Sequence, residues 1–194
     1  TNGLDILPTA EDLFNAELSL APKSAREFIL RTCFEKTSAL SNYDFVLIDN
    51  SPSVSLVTVN ALVASNYFLV PVSAEYLPLT GLIMLGNCIG RFQEKLAPNL
   101  FSLGILLTMY HRSENICREV ERKLQGELGD MLFKTRIRVN TKAKTAPSLQ
   151  KTIFQFEESE QGRGSEDYIQ LAGEVIARVE MFGTQSQLRE AANG

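Results

Sequence analysis

The 194 residues carry 19 lysines and arginines against 23 acids, a net charge of −4, with 44% hydrophobic and 22% charged residues. That balance excludes a disordered or fibrous chain and fits one globular domain long enough to bury a sizeable core. It also argues against wholesale polyanion binding. The longest apolar runs, such as Phe68 to Val72 and Ile105 to Leu107, fall well short of the roughly 20 residues that span a bilayer, so no membrane partner is expected. Cys33, Cys88 and Cys117 are odd in number and never form a C-x-x-C pair, which speaks against a disulfide framework or zinc site and for reduced thiols in the cytoplasm. No signal peptide stands out. The chain opens at Thr1 without a methionine, and the expectation is a piece of a longer protein.

In chain order, Leu4 to Leu7 reads as a weak strand stopped by Pro8, with Thr9 placed to cap a helix opening at Ala10-Glu11-Asp12. Ser24 is expected to cap a helical run in which Phe28, Ile29, Thr32, Cys33, Lys36 and Leu40 recur at helical spacing. Tyr43 to Asp49 then contains the unbroken apolar run Phe45 to Ile48, ends in a carboxylate and turns through Asn50, Ser51, Pro52 and Ser53. A run apolar on both faces is expected in the middle of a parallel sheet, and an acid at its C-terminal end lies where such sheets bind ligands. Acids in that position also serve as helix N-caps, and both roles stay open for Asp49.

Leu56 to Ala64 reads as a buried helix, Tyr67 to Val72 as a two-sided strand closed by Pro71, and Leu79 to Leu96 as a long helix. Phe101 to Met109 is a strand without acid or base. Glu114 to Leu128 is amphipathic, with Ile116, Val120, Leu124 and Leu128 on one face. Leu132 to Val139 alternates Lys134, Arg136 and Arg138 with apolar residues, which places it near a sheet edge. A last helix follows Ser165, its stripe formed by Tyr168, Leu171, Ala172, Val175, Ile176 and Val179. Five strands interleaved with helices specify an α/β layered fold with a mainly parallel sheet over 1–182, followed by a polar, flexible tail over 183–194.

The charge is unevenly spread. No acid stands between Asp130 and Glu157, whereas Lys134, Arg136, Arg138, Lys142, Lys144 and Lys151 all fall there, a local field able to hold phosphate. A phosphate-binding loop needs clustered glycines and a lysine, yet none of the 12 glycines precedes a lysine. G-x-G-x-x-G and G-x-S-x-G are absent too. His111, the single histidine, has no companions at ligand spacing and reads as an ordinary loop residue.

Tyr43-Asp44-Phe45-Val46-Leu47-Ile48-Asp49, with Asn50-Ser51-Pro52-Ser53, resembles the switch II segment of the ParA/Soj partition ATPases, within the wider ParA/MinD family of deviant P-loop ATPases. Val59-Asn60-Ala61-Leu62, Val70-Pro71-Val72, Glu75-Tyr76 and Gly81 are similar to the segments that follow it. Leu106 to Tyr110, Phe133 to Ile137, Asn140 with Ala146-Pro147-Ser148, and Ser165 to Tyr168 match later stretches in the same order. The resemblance implies a P-loop NTPase-like parallel sheet flanked by helices but missing its N-terminal strands. It further implies ATP and Mg2+ binding, a homodimer, non-specific DNA binding on the nucleoid and a ParB-like activating partner.

By the same resemblance Asp49 would hold the magnesium-water shell and act in hydrolysis, and Ile137, Arg138 and Asn140 would line the adenine pocket. Lys142 falls at a DNA-binding arginine of the family, with Lys144 and Arg112 close to such positions; a solvated basic loop is the plain alternative. Ser51, Thr145, Arg138-Val139 and His111-Arg112-Ser113 depart from the family pattern. The phosphate loop and switch I would lie upstream of Thr1, and the strand missing with them would leave apolar edges open. A complete ATPase of which this is the C-terminal part competes with a non-hydrolysing module that keeps dimer and DNA surfaces. Membrane targeting of the MinD kind is set aside, because 184–194 holds only Leu188 as a large apolar residue.

Overall fold

The computed structural model describes residues 3–9, 13, 15–51, 53, 55–75, 79–157 and 162–193, with the backbone alone for 79–85 and 185–193. The chain divides into two compact units, Thr1–Asn66 with Phe92–Leu100, and Tyr67–Arg91 with Phe101–Gly194.

The first unit is helical. Helices α1 (Ala16–Leu20), α2 (Ile29–Lys36) and α3 (Leu56–Ala64) are tied together at α3. Its bounds are those read from the sequence, and Asn60, Ala61 and Val63 are buried on it. Asn60 accepts from Leu30 N (3.1 Å) and donates to Arg26 O (2.8 Å) and Leu56 O (2.9 Å). A buried amide with three partners costs little and fixes where α2 begins. The N-terminus of α3 is closed by Ser55 Oγ, which accepts from Thr58 N, and by Glu17, which accepts from Leu56 N at 2.9 Å.

Two expected strands do not form. Residues 43–50 are irregular and exposed at Phe45, Val46 and Leu47, the last by 88%. Residues 4–7 are irregular and exposed as well. An extended apolar run becomes a strand only through a hydrogen-bonded neighbour, and among the described residues none lies alongside either segment. The helix expected at Ala10-Glu11-Asp12 falls outside the described residues, and Ser24 makes no cap. Instead Ala25, at φ 50°, leads into a short 3-10 turn before α2.

The second unit holds a parallel sheet in the order β1 (Tyr67–Ser73), β2 (Phe101–Tyr110), β3 (Leu132–Arg138). Helices α4 (Leu79–Leu96), α5 (Asn115–Leu128), α6 (Thr141–Thr145), α7 (Ile153–Glu157) and α8 (Arg163–Asn193) follow the strands. Uncharged β2 takes the centre, as a strand apolar on both faces must. On one face Leu107, Tyr110 and Leu132 pack with Cys117, Val120 and Leu124 of α5. On the other, Leu103, Leu106 and Phe133 meet Leu171, Val175, Val179 and Phe182 of α8. Tyr168 and Ile176, read as part of that stripe, stand 43% and 44% exposed. The helix is rotated by a polar demand described next.

The β2–β3 ladder is irregular. Ile105 opposes Leu132 and Leu107 opposes Arg136, so two steps on β2 face four on β3. The extra residues carry main-chain groups that need partners. Glu174 of α8 accepts from Lys134 N (2.9 Å) and Thr135 N (2.8 Å). Arg136 donates to Thr135 O (3.0 Å) and to Phe133 O, while Glu121 of α5 holds its guanidinium at 2.7 Å. Arg178 donates to Leu103 O (2.8 Å), Asp130 O (2.9 Å) and Leu132 O (3.1 Å), pairs with Glu174 and stacks 4.0 Å over the Phe133 ring. Burial opposes ionisation of Glu174, but hydrogen bonds from Lys134 N, Thr135 and Arg178 outweigh it and hold its carboxyl below the usual range.

Pro71 lies inside β1 rather than closing it. Ala74 N donates to Thr108 O and Thr108 Oγ1 to Val72 O. Positions 72 and 74 thus face β2, and Pro71 faces the outer edge, where a missing N–H costs no ladder bond. Gly104 has φ 126°, and a Cβ there would stand 2.1 Å from Met131 O.

Replacing Arg178 with Met keeps bulk but takes a donor from three carbonyls and the cation from Glu174. Urea unfolding is expected to show a loss of about 3 kcal/mol, and a loss under about 1 kcal/mol would reject the clamp.

Candidate functional site

Parallel strands present their C-terminal ends together, and the groups that follow β2 and β3 converge there. Val139 N donates to Tyr110 O, so Arg112 and Asn140 each leave the same end of the sheet two residues beyond a strand. Met109 at φ 51° supplies the extra β2 residue between Leu107 and Tyr110, a strained backbone position at that end.

Asn140 caps α6. Its Oδ1 accepts from Lys142 N (2.8 Å) and Ala143 N (3.4 Å), and its Nδ2 donates to Glu157 at 3.3 Å. Lys142 and Lys144 are exposed on that turn, as is Arg112. Among the described residues none of the three cations forms an ion pair. His111, beside Arg112, lies with its Nδ1 4.0 Å from Glu114.

Beneath the turn, Glu157 gathers four donors: Gly164 N (3.2 Å), Ser165 N (2.7 Å), Ser165 Oγ (2.7 Å) and Asn140 Nδ2. Burial raises the cost of its charge, but the bonds from Ser165, Gly164 and Asn140 prevail and hold the carboxyl at about 2. The cradle is tight, since a Cβ at Gly164 would stand 2.7 Å from Asn140 Nδ2 and one at Gly162 would collide with the Glu157 carboxylate.

Arg138 is committed elsewhere. Its guanidinium lies 2.6 Å from Asp167, which is 4% exposed, and 2.7 Å from Glu166, while its N–H donates to Asp167 at 2.9 Å. The Asp167 hydrogen bond, opposed by burial and joined by Glu166, holds the guanidinium charged well above its ordinary range. Ile137 packs into the apolar cluster under α8. The structure therefore brings Ile137, Arg138, Asn140, Lys142 and Lys144 together around β3 and α6, with the first two facing inward. It places Asp49 in the first unit, exposed, where Asn50 Nδ2 donates to Ile48 O at 3.1 Å. Asp49 is not the cap of α3, because Ser55 is. No group of three or more metal-binding side chains occurs among the described residues.

Sequence reasoning missed Glu157, Glu166 and Asp167 as partners. Glu166, in the first turn of α8, carried a signal, since an acid is favoured at a helix N-terminus. Glu157 carried none until the chain was folded.

The family model described as AAA domain matches residues 1–102. The Sporulation initiation inhibitor protein Soj of Bacillus subtilis is 37% identical over 90% of this chain and 67% of its own length. This chain belongs to the ParA/Soj family. The Chromosome partitioning protein ParA of Caulobacter vibrioides is 35% identical over 91% of the chain, which spans only 65% of that relative. Among solved structures, cobyrinic acid a,c-diamide synthase from Mycobacterium smegmatis with bound ADP and magnesium is similar at a TM-score of 0.58 and 30% identity, over 63% of this chain and 49% of that one. The ParA/Soj chain thus has the parallel sheet flanked by helices of a P-loop NTPase. No helix among the described residues is long and apolar enough to cross a membrane.

Glu157 predicts an acid dependence in this ParA/Soj chain. A carboxyl held at about 2 in the fold titrates near 4.3 when unfolded, so its contribution is present above that pH and fades as pH falls toward 2. Urea midpoints are expected to drop more steeply over that window in the wild type than in Glu157→Gln; parallel curves would show that Glu157 is not the source.

Proposed function

We propose that the chain is part of a ParA-like ATPase that partitions DNA or positions a large cargo, working as a dimer that binds ATP with magnesium and DNA without sequence preference. The observation that carries this reading is the exposed basic turn of α6 at the C-terminal end of a ParA/Soj-family sheet. Phosphate backbones are held by such charges whatever the sequence. Lys142 and Lys144, with Arg112 on the neighbouring loop, are assigned to DNA. The protein would act in the cytoplasm on the nucleoid, with a ParB-like partner stimulating hydrolysis.

The nucleotide reading rests on family membership and on the similar structure with bound ADP and magnesium. Asp49 has the chemistry for its part, since an exposed carboxylate can orient the water shell of magnesium beside a phosphate. At the adenine end the fit is narrower. Arg138 and Asn140 have their side chains engaged with Asp167 and with Glu157 and α6, so their side-chain ends are already committed to this fold. A second reading is a non-hydrolysing module that dimerises and binds DNA.

In the full-length parent, Lys142→Ala with Lys144→Ala is expected to weaken binding to any DNA about tenfold and to shallow the salt dependence by about 1 to 2 in slope. Unchanged affinity and slope would sink the assignment. Asp49→Asn should abolish ATP turnover while the circular dichroism spectrum stays native; wild-type turnover would remove Asp49 from the site. DNA binding without any turnover in the wild-type parent would favour the second reading.

A further inference from the structure

Glu157 sits at the end of α7, far in sequence from the cations it stands beneath, and nothing about its position requires it to touch α6. Yet it meets the one side chain that starts that helix. A side-chain amide has two orientations. With Nδ2 toward Glu157 and Oδ1 toward Lys142 N and Ala143 N, every contact of Asn140 joins a donor to an acceptor. Reversed, the oxygen would face a carboxylate and the NH2 would face two N–H groups. The carboxylate and the two N–H groups select the same orientation, and the carboxylate holds it from the other side.

We infer that Glu157 is a positioning residue for the basic turn: by fixing the Asn140 amide it commits Oδ1 to the N-terminus of α6 and so sets where Lys142 and Lys144 stand. This rests on the reading of those lysines as phosphate contacts. A helix of five residues, Thr141–Thr145, does not hold itself together and depends on what closes its ends. At its far end Ala146 is 2% exposed and its carbonyl accepts from Lys151 N at 3.1 Å. The turn is thereby pinned at Asn140 and at Ala146, with both lysines between the pins. The first pin is held from its far side by Glu157, whose remaining donors all come from the start of α8. Gly162 and Gly164 are the residue type that lets the carboxylate approach, since a side chain at either would occupy its space or that of the amide.

A residue that merely stabilised the fold would not move the readouts that test this. In the full-length parent, Glu157→Gln should lower hydrogen-exchange protection of the Lys142 and Ala143 amides about fivefold relative to β2, the effect of a lost cap. It should weaken non-specific DNA affinity about threefold to tenfold. Added to Lys142→Ala with Lys144→Ala, it should cause no further loss. Asn140→Ala leaves the other three donors of Glu157 in place and is expected to reproduce the DNA phenotype, without adding to Glu157→Gln. Unchanged protection at Lys142 and Ala143, or a loss of affinity that persists undiminished in the lysine-free background, would overturn the inference. If the lysine replacements alone leave DNA binding intact, the functional reading fails by itself. Exchange at the two amides then still decides whether Glu157 sets the turn.

Discussion

The second unit depends on how two extra residues of β3 are absorbed. A ladder that slips by two residues exposes amides and carbonyls inside a layered fold, where each unpaired group costs on the order of 1 to 3 kcal/mol. Glu174 and Arg178 answer from α8, and Arg136, held by Glu121, answers from within the sheet and from α5. Both helices are thereby bound to the same stretch of one edge strand. Because Glu174 and Arg178 are four residues apart on a helix, they present one polar seam. That seam dictates the rotation of α8, leaving Leu171, Val175, Val179 and Phe182 to fill the apolar contact on either side.

The same helix organises the far end of the sheet. Its N-terminal end supplies Glu166 and Asp167 to Arg138 and the main-chain donors of Gly164 and Ser165 to Glu157. One helix thus clamps the irregular middle of β3 with its body and the chain beyond β3 with its N-terminus. The basic turn that follows is short, and its orientation is inherited from this scaffold rather than from its own helix propensity. The cations of that turn stay exposed, while Ala146, Gly164 and Ser165 beside it are buried.

Much of this was legible in the amino-acid sequence, for reasons that differ by element. β2 announced itself because ten residues without a charge can only be central, and α3, α4 and α5 because apolar spacing fixes a helix independently of its neighbours. The run from Tyr43 to Asp49 looked as strong as β2 but is irregular, since a strand is a property of a pair and the run cannot state whether its partner is present. The stripe on α8 was misjudged by one helical position: Tyr168 and Ile176 were counted with the core, whereas Glu174 and Arg178 are the residues turned to the sheet. A pattern of hydrophobicity cannot foresee that a slipped ladder will draw a charged pair inward. The basic turn was visible in its cations and Asn140, whereas Glu157 was not, because its contacts come from three separate segments meeting.

Pro71 has a consequence for how this sheet meets other chains. The outer side of β1 offers its hydrogen-bonding groups from odd-numbered positions, and at 71 the donor is replaced by a ring carbon. A parallel neighbour laid along that side would find its evenly spaced bonds interrupted midway. Continuous zippering of one copy onto the next, the route by which open strands grow into fibrils, is denied there by a single imino acid.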